Sequence, residues 1–257
     1  MIRDGLKRHY IGMNTEFRYR GEDGGRLEAI SDSVFALAIA LLLISTSAPE
    51  KFEDIVKFTY ELLPFAFCIS LIILIWHEHV IYFLRYGLRN PKIIFLNTIF
   101  LFIVLYYVYP LKFLTKMLSL PIMYFFSGNE VFLNDLKAMI NGDEVGTLMI
   151  IYGIGAASIF LTLAWMYQYA RKIGKDLGLD EIELFDTTAS LKSNLLMASI
   201  PILSVLVILI FRNTTYVGAY GGFVYFLYTP VMMFYFKRSQ KKRKKLIAQL
   251  PPEETIS

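Results

Sequence analysis

Two acidic residues lie inside the first apolar stretch of this sequence, where ionised groups are hardest to accommodate. Glu28 and Asp32 are four residues apart, so on a helix they share a face and repel each other. An ionisable side chain at membrane depth is costly and marks a candidate functional site. Arg26 is six residues from Asp32 and points about 120° away from it on a helix. We therefore expect Asp32 to find its partners on other segments or on another subunit.

Further polar side chains follow in the next two apolar stretches. The second carries Trp76, His77, Glu78 and His79, and the third carries Asn97 near its start. The two histidines are two residues apart and face nearly opposite ways on a helix, which argues against a metal site. A hydrogen-bonded cluster of His79, Asn97 and Asp32 is more economical, because it satisfies each buried polar group.

The sequence contains no pattern typical of an enzyme. It has no nucleophile elbow, phosphate-binding loop or dinucleotide fingerprint. The single cysteine, Cys68, excludes an intrachain disulfide framework. We therefore expect neither catalysis nor a bound cofactor or metal.

Composition and periodicity indicate the elements that position these side chains. The 257 residues are 56% hydrophobic and 19% charged, whereas a soluble domain has about 25% charged residues. The apolar blocks have roughly the 20 residues that a helix needs to cross a bilayer, and they are too long for barrel strands. The sequence predicts an all-α membrane protein with six transmembrane helices per subunit. The predicted spans are 27–46, 56–77, 93–114, 146–169, 191–211 and 217–236.

The basic residues are distributed unevenly about these spans. Of the 26 Lys and Arg residues, 20 lie before the first span, in 85–92, in 171–192, or after the last span. Cytoplasmic segments collect Lys and Arg. This distribution predicts a multi-pass protein of the cell membrane with both termini in the cytoplasm. The basic run 237–245 predicts contact with anionic lipid headgroups, and its position next to a span argues against a nucleic-acid role.

The first span also carries a stripe of large aliphatic side chains. Ile30, Val34, Leu37, Leu41 and Ile44 are spaced four, three, four and three residues apart, which suits a helix facing its own copies around an axis. Small residues on the flank allow close helix packing in lipid. On the pattern alone, an ordinary buried helix with a leucine seam is the better interpretation.

The polar residues of the first three spans resemble a known family. Arg26, three residues, then Ile30-Ser31-Asp32 is similar to the first-helix signature of the transmembrane protein 175 family of potassium channels, which has Phe where this chain has Ile30. Trp76 with His79, Leu96-Asn97 and Pro110-Leu111 resemble the family's second and third helices. The resemblance covers about residues 26–114, and six spans match the prokaryotic branch.

The resemblance implies a homotetramer whose first helices line a central pore. It implies a pore constriction formed by large aliphatic residues, at positions that match Leu37, Leu41 and Ile44. Ala40 falls where some family members have a threonine associated with selectivity, and its methyl group cannot coordinate an ion. The resemblance also implies a structural and gating network behind the pore, which comprises Arg26, Ser31, Asp32, Trp76, His79 and Asn97.

The predicted function is a weakly potassium-selective, non-voltage-gated, leak-type cation channel. Hydroxyl groups of Ser45 and Thr46 would lie at its outer mouth, and its permeant ion would be potassium. One alternative is a proton-coupled secondary transporter that uses Asp32 and His79. A second alternative is a membrane structural or interaction protein without transport activity.

The predicted organisation has three parts. Residues 1–26 form a cytoplasmic N-terminal segment, residues 27–236 form the six-helix transmembrane channel domain, and residues 237–257 form a basic cytoplasmic tail. The longest connection, at about 115–145, is expected outside the cell, with a short surface helix at 131–140.

Overall fold

The computed structural model describes residues 17–43, 50–214 and 217–249, and in these ranges the chain forms helices and no strands. A short 3₁₀ turn, Tyr225–Leu227, separates the last two helices. The helices are α1 Arg26–Leu43, α2 Phe52–Tyr86, α3 Pro91–Ser127, α4 Val131–Met139, α5 Gly142–Lys172, α6 Glu181–Ile210, α7 Val217–Val224 and α8 Tyr228–Gln249.

The second helix is much longer than the span that hydropathy predicted for it. It has 35 residues and ends at Tyr86, where Gly87 adopts a left-handed conformation (φ 57°) and closes the helix. His79 therefore lies two turns before the end, although hydropathy placed it beyond the span. Polar side chains end an apolar window without ending a helix, because the backbone hydrogen bonds of a helix do not depend on side-chain polarity.

The region 115–145 is mostly helical rather than an open loop, whereas its position outside the cell stays a prediction. The third helix continues through Pro110 and Pro121 to Ser127, and α4 follows after three residues. Proline removes one backbone donor per position, which a packed helix tolerates when its neighbours support it. Tyr152 of α5 contacts this stretch, because its hydroxyl donates to the Pro110 carbonyl at 2.6 Å. The predicted surface helix is present as α4, which has no buried residues.

The basic run after the last apolar segment continues a helix. The eighth helix extends to Gln249, and Arg243 within the run is buried. Its Nε donates to both carboxylate oxygens of Asp186 on α6, at 2.9 and 3.1 Å. Tyr235 adds a bond from its hydroxyl to the Ala189 carbonyl at 2.8 Å. The run is thus fixed to α6 along one face and exposes its other basic side chains.

Four helices of the described chain are long and apolar enough to cross a bilayer, namely Glu61–Tyr86, Pro91–Ser127, Glu144–Lys172 and Glu181–Ile210. The predicted first span is not among these four, because α1 carries three charged residues, Arg26, Glu28 and Asp32, among its 18 residues. The predicted sixth span is divided by the 3₁₀ turn between α7 and α8. The remaining predicted part of the first span, 44–46, lies outside the described residues.

The helices pack as two groups that meet along α3 and α5. The first helix packs on α2 and α3, whereas α6 packs on α5, α7 and α8. The main core contains Tyr82, Phe100 and Tyr167, all fully buried. The first helix therefore lies at the edge of its own protomer, with one side uncovered.

We expect Asn90→Ala to lower the free energy of unfolding by about 1 kcal/mol. The Asn90 side chain caps α3 by accepting from Ile93 N–H at 3.0 Å, and its amide donates to the Tyr169 hydroxyl at 2.9 Å. Asn90→Asp keeps the capping acceptor and should recover most of the loss. Thermal unfolding in detergent measures both variants, and equal losses would contradict the capping role.

Candidate functional site

One face of α1 is buried against the bundle. It comprises Ser31, Phe35, Ala38 and Leu42, at spacings of four, three and four residues, so a narrow stripe lies along one side of the helix. Ala38 is fully buried, and its small side chain allows the helix to approach α2 and α3 closely. The stripe fixes which sides of α1 face away from the protomer.

A chain of hydrogen bonds connects α1, α2 and α3 at this buried face. His79 Nε2 lies 2.7 Å from Asn97 Oδ1, and because an amide oxygen only accepts, the histidine nitrogen donates. Asn97 Nδ2 donates to Ser31 Oγ at 2.9 Å, and Ser31 donates to the Leu27 carbonyl at 2.8 Å. Each of the three side chains is at most 1% exposed. We call His79, Asn97 and Ser31 the buried polar triad.

Aromatic rings enclose the imidazole of the triad. His79 stacks on Phe100 with ring centroids 5.3 Å apart and an interplanar angle of 11°. Phe83 and Phe35 approach it at centroid distances of 4.7 and 5.6 Å. The low local dielectric strengthens the paired hydrogen bonds and makes any unpaired group costly. The triad is therefore a fixed structural connection between three helices.

Asp32 lies beside this triad and has a different partner. The Trp76 indole donates to Asp32 Oδ1 at 2.8 Å, and the Asp32 side chain is exposed in the single protomer. The cluster predicted for His79, Asn97 and Asp32 thus contains Ser31 in place of Asp32. Adjacent helical positions differ by about 100°, and the smaller serine takes the inward one. Arg26, the first residue of α1, is exposed.

The predicted pore residues divide between exposed and half-buried positions. Leu37 is 49% exposed, whereas Leu41 and Ala40 are half-buried in the protomer. Leu41 also packs against the main core. Ile44, Ser45 and Thr46 lie outside the described residues.

Small residues occupy the side of α1 directly opposite the buried stripe. Ala29, Ser33 and Ala36 are exposed there, and the aliphatic stripe runs along the adjoining flank, where Ile30 is 60% exposed. Small side chains permit close approach of a neighbouring helix in lipid. The row of small residues therefore makes this side of α1 suited to close packing against another helix.

The structure adds a charged cluster that the sequence interpretation missed. Glu183 of α6 is fully buried, and it accepts from Arg20 Nη2 at 2.7 Å and from the backbone N–H of Arg18 at 2.8 Å. A separation of more than 160 residues gives no local pattern. The one available signal was Asp180 three residues before Glu183, the reciprocal spacing of a helix N-terminal capping box.

Within the described ranges, no group of three His, Cys, Asp or Glu side chains is placed to hold a metal ion. His79 directs Nε2 to an amide oxygen, as described above, and aromatic rings surround it. The site is a helix-packing network with an uncovered face on α1.

Comparison with known proteins identifies the family. The family model for the endosomal/lysosomal potassium channel TMEM175 matches residues 26–107, which includes the triad, Asp32 and Trp76. A potassium channel of Marivirga tractuosa is 43% identical over 242 residues, covering 92% of this chain and 96% of that protein. The chain belongs to the TMEM175 family of potassium channels.

The TMEM175 relationship extends over the whole fold. A crystal structure of the potassium channel MtTMEM175, a threonine-to-alanine variant in complex with a nanobody–MBP fusion protein, has a TM-score of 0.80 to this chain. The two are 43% identical, and the match covers 90% of this chain and all of that one. The predicted family is confirmed. With its long apolar helices, the chain is a multi-pass α-helical membrane protein of this channel family, and none of these matches is to an enzyme.

Proposed function

We propose that four copies of this chain form a potassium-permeable channel whose α1 helices surround the axis. The observation that carries the proposal is the uncovered face of α1, which has the exposed Leu37 and Ile30 beside a row of small residues. The buried polar triad holds the opposite face of the same helix in place. The names of the relatives, both potassium channels, support potassium as the permeant ion.

The constriction in this proposal is hydrophobic. Rings of Leu37, Leu41 and Ile44 narrow the pore, and such a neck can expel water when closed. Selection then depends on the cost of removing water from the ion at the neck, which is higher for sodium than for potassium. Ala40 offers no oxygen ligand, so the preference for potassium is weak. Hydroxyl groups of Ser45 and Thr46 hold hydrated cations at the outer mouth.

The proposed channel is a leak channel in the cell membrane. No helix of the described chain carries the repeated arginines of a voltage sensor. The chain spans the membrane six times, with α1 and the α7–α8 segment as the first and last spans. The placement of 20 of the 26 basic residues on one side supports cytoplasmic termini.

The basic end of α8 supports a proposal about lipid contact. Six of its basic side chains, all except Arg243, are exposed: Lys237, Arg238, Lys241, Lys242, Lys244 and Lys245. A cluster of exposed Lys and Arg directly after a span attracts anionic headgroups at about 1 kcal/mol per residue.

The geometry favours a channel over the proton-coupled transporter. A relay between Asp32 and His79 needs a hydrogen-bonded path, but Asp32 pairs with Trp76 and His79 pairs with Asn97. The imidazole is enclosed by rings and is 1% exposed. The two groups thus belong to separate contacts.

Reconstituted into liposomes, the protein is expected to carry potassium down its gradient without moving protons. Potassium flux and internal pH are followed together with a potassium-sensitive and a pH-sensitive dye, and a protonophore is added in parallel. Potassium leaving through a channel builds up a diffusion potential, so the flux through a channel should rise when the protonophore lets protons compensate the charge. Potassium flux that is coupled to proton movement at a fixed ratio without the protonophore would contradict the proposal and support the transporter.

A further inference from the structure

An extended N-terminal strap, residues 17–25, leads directly into α1 and is held along its length. Phe17 is buried, with its ring against Tyr86 at a centroid distance of 6.0 Å. Arg20 N–H and Gly21 N–H donate to the carbonyls of Arg85 and Leu84, at 3.4 and 3.0 Å. The strap therefore follows the end of α2 before the chain turns into α1.

The centre of the strap fits closely against the end of α2. A side chain on Gly21 would collide with the Phe83 carbonyl, and one on Gly87 would meet the Arg20 carbonyl at 2.6 Å. Only glycine at both positions permits the two backbones to approach this closely. The strap is thus fixed in position against the end of α2 by close backbone packing.

Glu183 fixes the same strap to the second group of helices. Arg20 donates to both of its oxygens, with Nη1 at 3.0 Å and Nη2 at 2.7 Å. Two parallel bonds between a guanidinium and a carboxylate are among the stronger charge-assisted contacts. Arg18 adds its backbone N–H at 2.8 Å. We call Glu183, Arg18 and Arg20 the Glu183 clamp.

The loop before α6 extends the clamp. Arg20 Nε donates to the Leu177 carbonyl at 3.0 Å, and Arg18 Nη2 donates to the Gly178 carbonyl at 2.9 Å. Asp180, which caps α6, is 3.8 Å from Arg18 Nη2. The loop and the first turn of α6 therefore bind the strap through both Arg18 and Arg20.

The Glu183 clamp directly connects the second group of helices to the strap, which leads into α1. Among the described residues, α1 has backbone neighbours in α2 and α3 but in none of α5 to α8. The strap reaches α1 through Gly24 and Gly25, and Arg89 Nη2 donates to the carbonyl of Asp23 just before them. A movement of α6 can thus reach the first turn of α1 along the strap.

We infer that Glu183 is a positioning residue for gating, through which α6 controls the pore helix. This inference rests on the proposed function, since it requires α1 to line the pore. Large aliphatic side chains at the neck favour contact with one another over contact with water. The pore residues alone would then keep the neck closed, so a leak channel needs work on α1 from outside the pore to hold the neck open. The Glu183 clamp transmits that work.

Glu183→Gln is expected to lower the open probability about threefold or more, within the range seen when coupling contacts are changed. Single-channel recording in planar bilayers should show an unchanged unitary conductance and potassium-to-sodium ratio, because no pore residue is altered. Glu181→Gln is the matched control, since Glu181 lies in the same helical turn but is exposed, and it should behave as the wild type.

A second variant tests the connection without touching the clamp. Two glycines inserted between Gly24 and Gly25 slacken the strap at a place where a side chain on Gly24 would meet nothing within 4 Å. This insertion should lower the open probability as Glu183→Gln does, and the two changes together should add little to either alone. Size-exclusion chromatography checks that each variant assembles.

The outcomes separate the two proposals. An assembled insertion variant with unchanged or raised open probability overturns the role of the clamp and leaves the channel intact. The same holds if Glu183→Gln changes conductance or selectivity instead of open probability. If the wild-type protein carries no potassium current in bilayers, the proposed function fails, and the role of the clamp fails with it.

Discussion

Leu37→Ala is expected to raise potassium flux through reconstituted liposomes by about tenfold, which corresponds to a barrier about 1.4 kcal/mol lower. The leucine is 49% exposed on the uncovered face of α1, so in the proposed tetramer its side chain narrows the axis. Truncation widens and hydrates a hydrophobic neck. The preference for potassium over sodium should fall at the same time, because an ion in a wider neck keeps more of its water.

Leu42→Ala provides the matched control for this prediction. It is the same substitution on the same helix, but Leu42 faces the bundle and is 5% exposed. The control should cost about 2–5 kcal/mol of stability as a large-to-small core change and leave unitary conductance unchanged. If the two variants exchange these effects, the assignment of the pore face to Leu37 is wrong.

Asn97→Ala is expected to lower the free energy of unfolding by about 3 kcal/mol, since it leaves the buried His79 and Ser31 without their shared partner. For a chain of this size the midpoint of thermal unfolding should fall by about 6–12 °C. The proposed tetramer should also weaken, because Ser31 fixes the orientation of α1. Thermal unfolding in detergent and size-exclusion chromatography measure the two effects.

Thr98→Ala is the matched control for Asn97→Ala. Thr98 is the next residue on α3, is exposed, and bonds within its own helix to the Ile94 carbonyl at 2.9 Å. It should shift the midpoint little. Equal losses from Asn97→Ala and Thr98→Ala would show that the triad adds no stability beyond that of any polar residue on α3.

Parts of this architecture could be predicted from the sequence because they depend on local composition. Apolar blocks gave the regions of the long helices, and the unusual depth of His79 and Asn97 singled out two residues that the structure brings together. Ser31 entered the predicted network only through the family resemblance. Local composition could not show whether Ser31 or Asp32 joins the buried cluster with His79 and Asn97. Neighbouring positions on a helix differ by about 100°, and only the packing of Ala38 and Phe35 decides which one faces the bundle.

Other features could not be predicted because they join distant parts of the chain. The bonds of Arg20 to Glu183 and of Arg243 to Asp186 cross 163 and 57 positions, and each residue alone resembles an ordinary surface charge. Hydropathy also ended the third span at residue 114, four residues after Pro110, although a helix supported by its neighbours continues through proline. Helix length in this protein is decided by neighbours rather than by the apolar window.

The length of α3 has a consequence for access to the proposed pore from outside the cell. Its 37 residues extend about 55 Å at 1.5 Å per residue, whereas the hydrocarbon layer is about 30 Å thick. In the proposed orientation, which puts Pro91 and Lys92 at the cytoplasmic side, most of the surplus would stand above the outer leaflet. A departing ion would then pass the hydrocarbon layer well before it leaves the protein. A large blocker would contact the protruding end of α3 before it reached the outer mouth.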